Sequence, residues 1–272
     1  MCRKRAFAAT AQMLALLAAS PALAWGSKPA AAPAPASTAS KTPAPAQASA
    51  PAAPGPKKAP PEVRVQADRM EPLARAAFWA SQVDADPKDP EAGVKLAGSL
   101  RALGRYPEAS AAAEAVLVQQ PKNLDALLEK ARAAIASGQG FYAVEPSRAA
   151  LELAPKDWRP ATLLAVGLDQ AQRPIEAMEA HRKALQLAPD STSVLSNAAM
   201  FYAVQGDKAQ AETLLRKAAA QPDATLQVRQ NLALVLGLEG KLEEAEKLQR
   251  QDLPPELAEA NMAYLRAASA TK

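Results

Sequence analysis

Groups able to act as acid, base, nucleophile or metal ligand are thinly supplied in this sequence. His181 is the only histidine among 272 residues. One imidazole without a thiol or a second imidazole assembles none of the usual zinc ligand sets. Cys2 is the only cysteine and lies ahead of an apolar stretch. A chain that has lost that stretch holds no thiol for a disulfide, a nucleophile or a thiolate–metal bond. Glycine-rich phosphate loops are absent. Acidic pairs such as Glu243-Glu244 fall at the start of a helix, where the dipole favours them and solvent covers them. No catalytic residue, cofactor or metal is therefore expected. What remains is side-chain amides, which both donate and accept. Two of them, Asn197 and Asn231, are 34 residues apart, and that number leads to the elements that hold them.

The period of 34 runs through the chain from about residue 90. Gly104, Gly138, Gly206 and Gly240 fall on it, with Gln172 at the step they leave vacant. Ala97, Ala131, Ala165, Ala199 and Ala233 form a second column in the same phase, and Ala109, Ala143, Ala177, Ala211 and Ala245 a third. Pro121, Pro155 and Pro189 close three consecutive units. Fixed self-similarity of this length is the signature of a stacked repeat. Each unit reads as two helices that cross at the alanines, where only a small side chain lets the backbones approach. The glycine ends the first helix in the left-handed region, and the proline stops the second. Leu96, Leu100, Leu164, Leu168, Tyr202, Leu232 and Leu236 point the first helices into the stack, because one unit cannot bury its apolar face alone.

These columns resemble the tetratricopeptide repeat over residues 90–259, in units 90–123, 124–157, 158–191, 192–225 and 226–259. The resemblance implies an all-α fold, a right-handed α-solenoid of helix-turn-helix repeats, with residues 256–272 as a capping helix and tail. Residues 62–89 resemble a further half repeat, its first helix degenerate in "EVRVQAD". Local departures are Lys130 at an apolar position, Pro146 inside a second helix, and Asp223 and Leu257 in place of the closing proline. In this family the first helices line a concave groove that binds partner segments. Carried across, the lining comprises Val94, Leu128, Arg132, Thr162, Val166, Ser196, Asn197, Met200, Gln230, Asn231 and Leu234. Asparagines equivalent to Asn197 and Asn231 can bond an extended peptide backbone. The lysine and asparagine clamp that some members use for a terminal carboxylate is not assembled here.

Two segments precede the repeats. Arg3, Lys4 and Arg5, then "AFAATAQMLALLAASPALA" ending in Ala22-Leu23-Ala24, make residues 1–24 an expected export signal, with an uncleaved anchor as the alternative. Cys2 is misplaced for lipid attachment. Residues 25–61 are Pro- and Ala-rich and are expected to be a disordered spacer, or less readily a proline-rich ligand. Without the first three cations the 32 basic residues fall to 29, against 28 acidic ones, and no basic stripe suggests nucleic acid. The tail "EKLQRQDLPPELAEANMAYLRA" resembles the C-terminal end of the TadD group of tight-adherence (Flp) pilus assembly proteins. That resemblance implies an exported, periplasmic scaffold for a pilus or related secretion machine, binding a protein partner as a peptide segment, with outer-membrane association left open. A general periplasmic adaptor in envelope assembly is the alternative.

Overall fold

The computed structural model describes residues 57–270. The expected export signal, nearly all of the Pro/Ala-rich spacer, and residues 271 and 272 lie outside them. Among the described residues there are thirteen helices and no strand. An N-terminal pair, α1 (Pro61–Ala67) and α2 (Pro72–Ala85), leads into α3 (Pro90–Ala102) and α4 (Tyr106–Gln119). Then come α5 (Leu124–Ala136) with α6 (Phe141–Leu153), and α7 (Trp158–Gln170) with α8 (Pro174–Leu187). α9 (Thr192–Val204) pairs with α10 (Lys208–Ala219), α11 (Leu226–Glu239) with α12 (Leu242–Asp252), and α13 (Pro255–Ala270) closes the stack.

Local chemistry sets the boundaries. Asp89, Asn123, Asp157 and Thr225 each accept a backbone N–H at the start of a first helix, satisfying a donor the helix leaves orphaned. After the first helices, Gly104, Gly138, Gly206 and Gly240 have φ between 74° and 91°, and Gln172 sits at 59° in the same left-handed conformation. Four units thus reverse on the residue that adopts this geometry most cheaply, and the third does so with a Cβ in place.

The two alanine columns are sealed. Ala97, Ala131, Ala165, Ala199 and Ala233 are 0% exposed, and the second column is at most 1% exposed. Of the larger residues, Leu100, Leu164, Leu168, Leu232 and Leu236 are buried, while Leu96 and Tyr202 are half-buried. The first helices of successive units touch one another, whereas the second helices do not to any comparable extent. The first helices are thus the inner, concave layer. α13 packs on α11 and α12 where the first helix of a next unit would stand. A Cβ on Gly237 would lie 2.5 Å from Leu265, so that glycine lets the cap approach.

Salt bridges cross the unit boundaries at a separation of 28 residues. On the outer layer Arg148 reaches Glu176 (3.0 Å) and Arg216 reaches Glu244 (2.6 Å). At the equivalent step Arg182 meets Gln210 in the register and has no bonded partner among the described residues. On the inner layer Arg101 reaches Glu129 at 2.9 Å. Lys130, polar where an apolar residue was expected, pairs with Glu114 across α4 and α5. Asp223, in place of a closing proline, bonds the Thr192 hydroxyl. Pro146 is accommodated inside α6 and buried.

The N-terminal end is tied by a buried ion cluster. Asp89 caps α3 through Ala92 N (3.1 Å) and takes Arg64 Nη1 at 2.7 Å and Lys58 Nζ at 2.9 Å. The Arg64 guanidinium also lies 5.1 Å from the centre of the Trp79 ring. Burial would raise the Asp89 pKa, but the bonds from Arg64, Lys58 and Ala92 N outweigh it and hold the carboxyl well below its ordinary range.

Two outcomes follow for stability. Gln172→Gly is expected to stabilise the fold by about 1 kcal/mol in urea unfolding, because it relieves a left-handed non-glycine residue. Asp89→Asn is expected to cost about 3 kcal/mol at neutral pH, since Arg64 keeps its buried charge and loses its buried partner, leaving only the exposed Glu91 at 3.2 Å. A depressed folded pKa gives stability that is present above the unfolded value and lost as pH falls through the folded one. The gap between wild type and Asp89→Asn should therefore close as pH drops below about 4; an unchanged gap at low pH would contradict the assignment.

Candidate partner-binding face

On a helix, residues spaced by three, four and seven share one side. The concave stripe is accordingly Leu128, Arg132 and Ile135 on α5, and Thr162, Val166 and Asp169 on α7. It continues as Ser196, Met200 and Ala203 on α9, and Gln230, Leu234 and Gly237 on α11.

The residues expected to line a groove do not share one fate. Leu128 is 0% exposed and packs with Val116, Leu117 and Leu127, with Val94 half-buried beside it. Arg132 bonds Glu129 at 2.6 Å, and Glu129 also takes Arg101, so this end of the stripe is locked by internal ion pairs. Thr162 is buried, and its hydroxyl donates to Trp158 O at 3.0 Å. Val166, Asn197 and Met200 are half-exposed.

The last repeat departs most from the expected lining. Gln230, Asn231 and Leu234 are 6%, 8% and 9% exposed. Together with Leu128 they belong to the interior and offer no open surface. With α13 packed where a next unit would stand, α11 has a helical neighbour on both sides, as the first helices before it do. Asn231 is also fully engaged. Its Oδ1 accepts from Gln227 Nε2 (2.9 Å), and its Nδ2 donates to Ser196 Oγ (3.3 Å). Asn197, its equivalent one repeat earlier, makes no side-chain hydrogen bond among the described residues. The pair that looks identical in the sequence therefore divides into a structural amide and a free one. Both polar atoms of the Gln230 amide are buried without a partner.

One acid on the face was not singled out from the sequence. Asp169 is half-buried on α7 beside Val166, and among the described residues no donor or cation bonds its carboxylate. Burial raises its pKa. The signal that would have found it is a charge in the column where Arg101 sits, without an opposite charge 28 residues on.

Nothing else gathers reactive groups. His181 is 2% exposed, its ring 4.8 Å from that of Phe201, and burial lowers its pKa to about 4. Among the described residues no cluster of His, Cys, Asp and Glu could hold a metal ion, and no helix is long and apolar enough to cross a membrane. A hollow of about 470 Å³ opens at the turn between α4 and α5, lined by Gln120, Pro121, Lys122 and Asn123.

No protein-family model and no curated protein matches the chain. Solved structures do. A tetratricopeptide repeat protein from Parabacteroides merdae superposes with a TM-score of 0.61 at 16% identity, covering 74% of this chain and 79% of that one. TTC0263, a thermophilic repeat protein of Thermus thermophilus, gives 0.56 at 22% identity, covering 65% and 99%. The fold is that of the tetratricopeptide repeat. MamA from Desulfovibrio magneticus RS-1, residues 41 to the end, gives 0.51 at 22% identity over 58% of this chain and 89% of that one. At these identities the likeness concerns the architecture and leaves the partner to the chain's own surface.

The two asparagines should separate in urea unfolding. Asn231→Ala removes the amide that bonds the exposed Gln227 and the half-buried Ser196 and is expected to cost about 1 kcal/mol, whereas Asn197→Ala should stay within about 0.5 kcal/mol of wild type. Equal losses would show that Asn197 is also structural.

Proposed function

We propose that this protein is a non-enzymatic scaffold that holds a segment of a partner protein along the concave layer. The observation that carries the reading is the partly exposed run of Val166, Asn197 and Met200, between Arg132 held by Glu129 on one side and a buried last repeat on the other. Apolar contacts from Val166 and Met200 would bury a side chain. The Asn197 amide, with a donor and an acceptor both unused, matches the bonding of an extended backbone.

The place of action in this proposal is the bacterial envelope, and the partner a component of a tight-adherence pilus or related secretion machine. Export rests on Arg3 to Arg5 and the apolar stretch up to Ala24. The pilus assignment rests on the resemblance of the tail ending "NMAYLRA" to the TadD group. In the structure that tail is the end of α12 and most of α13, whose Ala258, Met262 and Leu265 are buried against the preceding helices. The partner is accordingly sought on the concave face.

The test is crosslinked recovery from the envelope fraction of the native host, with wild type beside Val166→Glu/Asn197→Ala. Pilus secretin or inner-membrane pilus components should be recovered with wild type and fall at least about tenfold with the double variant, as expected for loss of a central contact. Unrelated envelope proteins, unaffected by the substitutions, would remove both the pilus role and the groove.

A further inference from the structure

The concave layer is closed differently at each step between units. At the first, Arg101 and Glu129 form an ion pair of 2.9 Å. At the second, the equivalent residues are Ile135 and Leu163, both packed on the cluster of Ala131, Ala134 and Ala143. At the fourth, Asn231 is bonded back to Ser196. The third step, from α7 to α9, puts Asp169 and Asn197 at the equivalent positions, and neither side chain bonds to anything among the described residues. This is also where contacts between successive units are thinnest, both between the first helices and between α8 and α9.

An uncompensated carboxylate in a half-buried position is costly, because burial disfavours the charge and nothing nearby offsets it. On the inner layer the nearby first helices offer no spare cation: Arg132 on α5 bonds Glu129, and Arg159 at the start of α7 bonds Asp157. An acid left open one turn beyond Val166, on the same face as Met200 of the next first helix, is a negative point among apolar neighbours.

We propose that the groove selects a partner segment bearing a lysine or arginine, whose cation is taken by Asp169 at the α7–α9 step while Asn197 bonds the adjacent peptide group and Val166 and Met200 cover the flanking side chains. The inference rests on the reading of this face as a peptide groove and adds the chemistry of the residue it reads. A cation supplies the missing counter-charge. An acidic or purely apolar segment would bury Asp169 more deeply without compensation, which disfavours such a segment at this step.

Selection of a random linear peptide library on the full chain tests this directly. Enriched peptides should share one fixed basic position with apolar neighbours. With a synthetic peptide of that consensus, replacing the basic residue by norleucine should weaken binding to wild type about tenfold, as for a close charge pair at an interface. The same replacement should cost under about twofold with Asp169→Asn, if the coupling belongs to that carboxylate. A consensus with no basic position, or a norleucine penalty that Asp169→Asn leaves intact, overturns the proposal. Val166→Arg, which fills the groove and places a cation beside Asp169, separates the two layers of inference. If it abolishes binding while the consensus is neutral, the groove stands and the cation is wrong. If binding survives it, or if no peptide enriches over a blank selection, the groove reading falls and takes the cation with it. Asp169→Asn should not lower the melting temperature, because it removes a desolvated charge, so a loss of binding is not a loss of fold.

Discussion

Every distance between paired helices in this stack is set where two columns of alanine meet. At Ala97, Ala131, Ala165, Ala199 and Ala233 on the first helices, and at their counterparts from Ala109 to Ala245 on the second, exposure is at most 1%. No larger side chain would let the backbones come so close. The constraint has a cost: an alanine buries little apolar area, so each crossing contributes modestly to the hydrophobic term. Stability then depends on the joins between units, and there the chain adds leucines, the Arg148–Glu176 and Arg216–Glu244 bridges, and a helix at each end to cover the last exposed face. In a one-dimensional array of this kind, local strength and local weakness stay local.

That locality explains what the sequence revealed and what it hid. The columns at a spacing of 34 were legible because they record requirements internal to each unit: a crossing, a left-handed reversal, a stop. Even Gln172 was legible as an odd member, since the backbone conformation belongs to the position and not to the residue. The candidate binding face was legible only in outline. Register places Asn197 and Asn231 alike, yet whether an amide is free depends on neighbours outside its unit. Asn231 is occupied by Ser196 from the unit before, and α13 adds a helical neighbour from the segment after. Leu128 was misread for the same reason, since its cover comes from Val116 and Leu117 on α4. Asp169 went unnoticed because a lone acid on a helix looks solvated until the residue expected to neutralise it is seen to be absent.

The ends of the array are held in different ways. The N-terminal end uses charge: Lys58 and Arg64 converge on Asp89, and the same carboxylate caps α3. One acid thus joins the segment that follows the Pro/Ala-rich stretch to the first full repeat. The C-terminal end uses shape, with Leu265 fitted over Gly237 where any side chain would collide. Neither device reaches the middle of the stack, so the third join must rely on its own contacts.

At that join the usual supports are fewer. α9 begins at Thr192 after Ser191, whose side chain makes no capping bond, whereas α3, α5, α7 and α11 each begin on a residue that does. The outer ladder is also broken at this same join, where Arg182 finds Gln210 instead of an acid. Thin packing and a missing cap lower the free energy for local opening without weakening the units on either side. An occupant that enters between Asp169 and Asn197 therefore displaces little that already exists. It adds a counter-charge, apolar cover and hydrogen bonds at the one step of the inner layer where the chain has not supplied its own. The ion pair at the first step and the bonded asparagine at the fourth would have to be broken before a ligand could use them, and this difference in cost favours the third join for the proposed site.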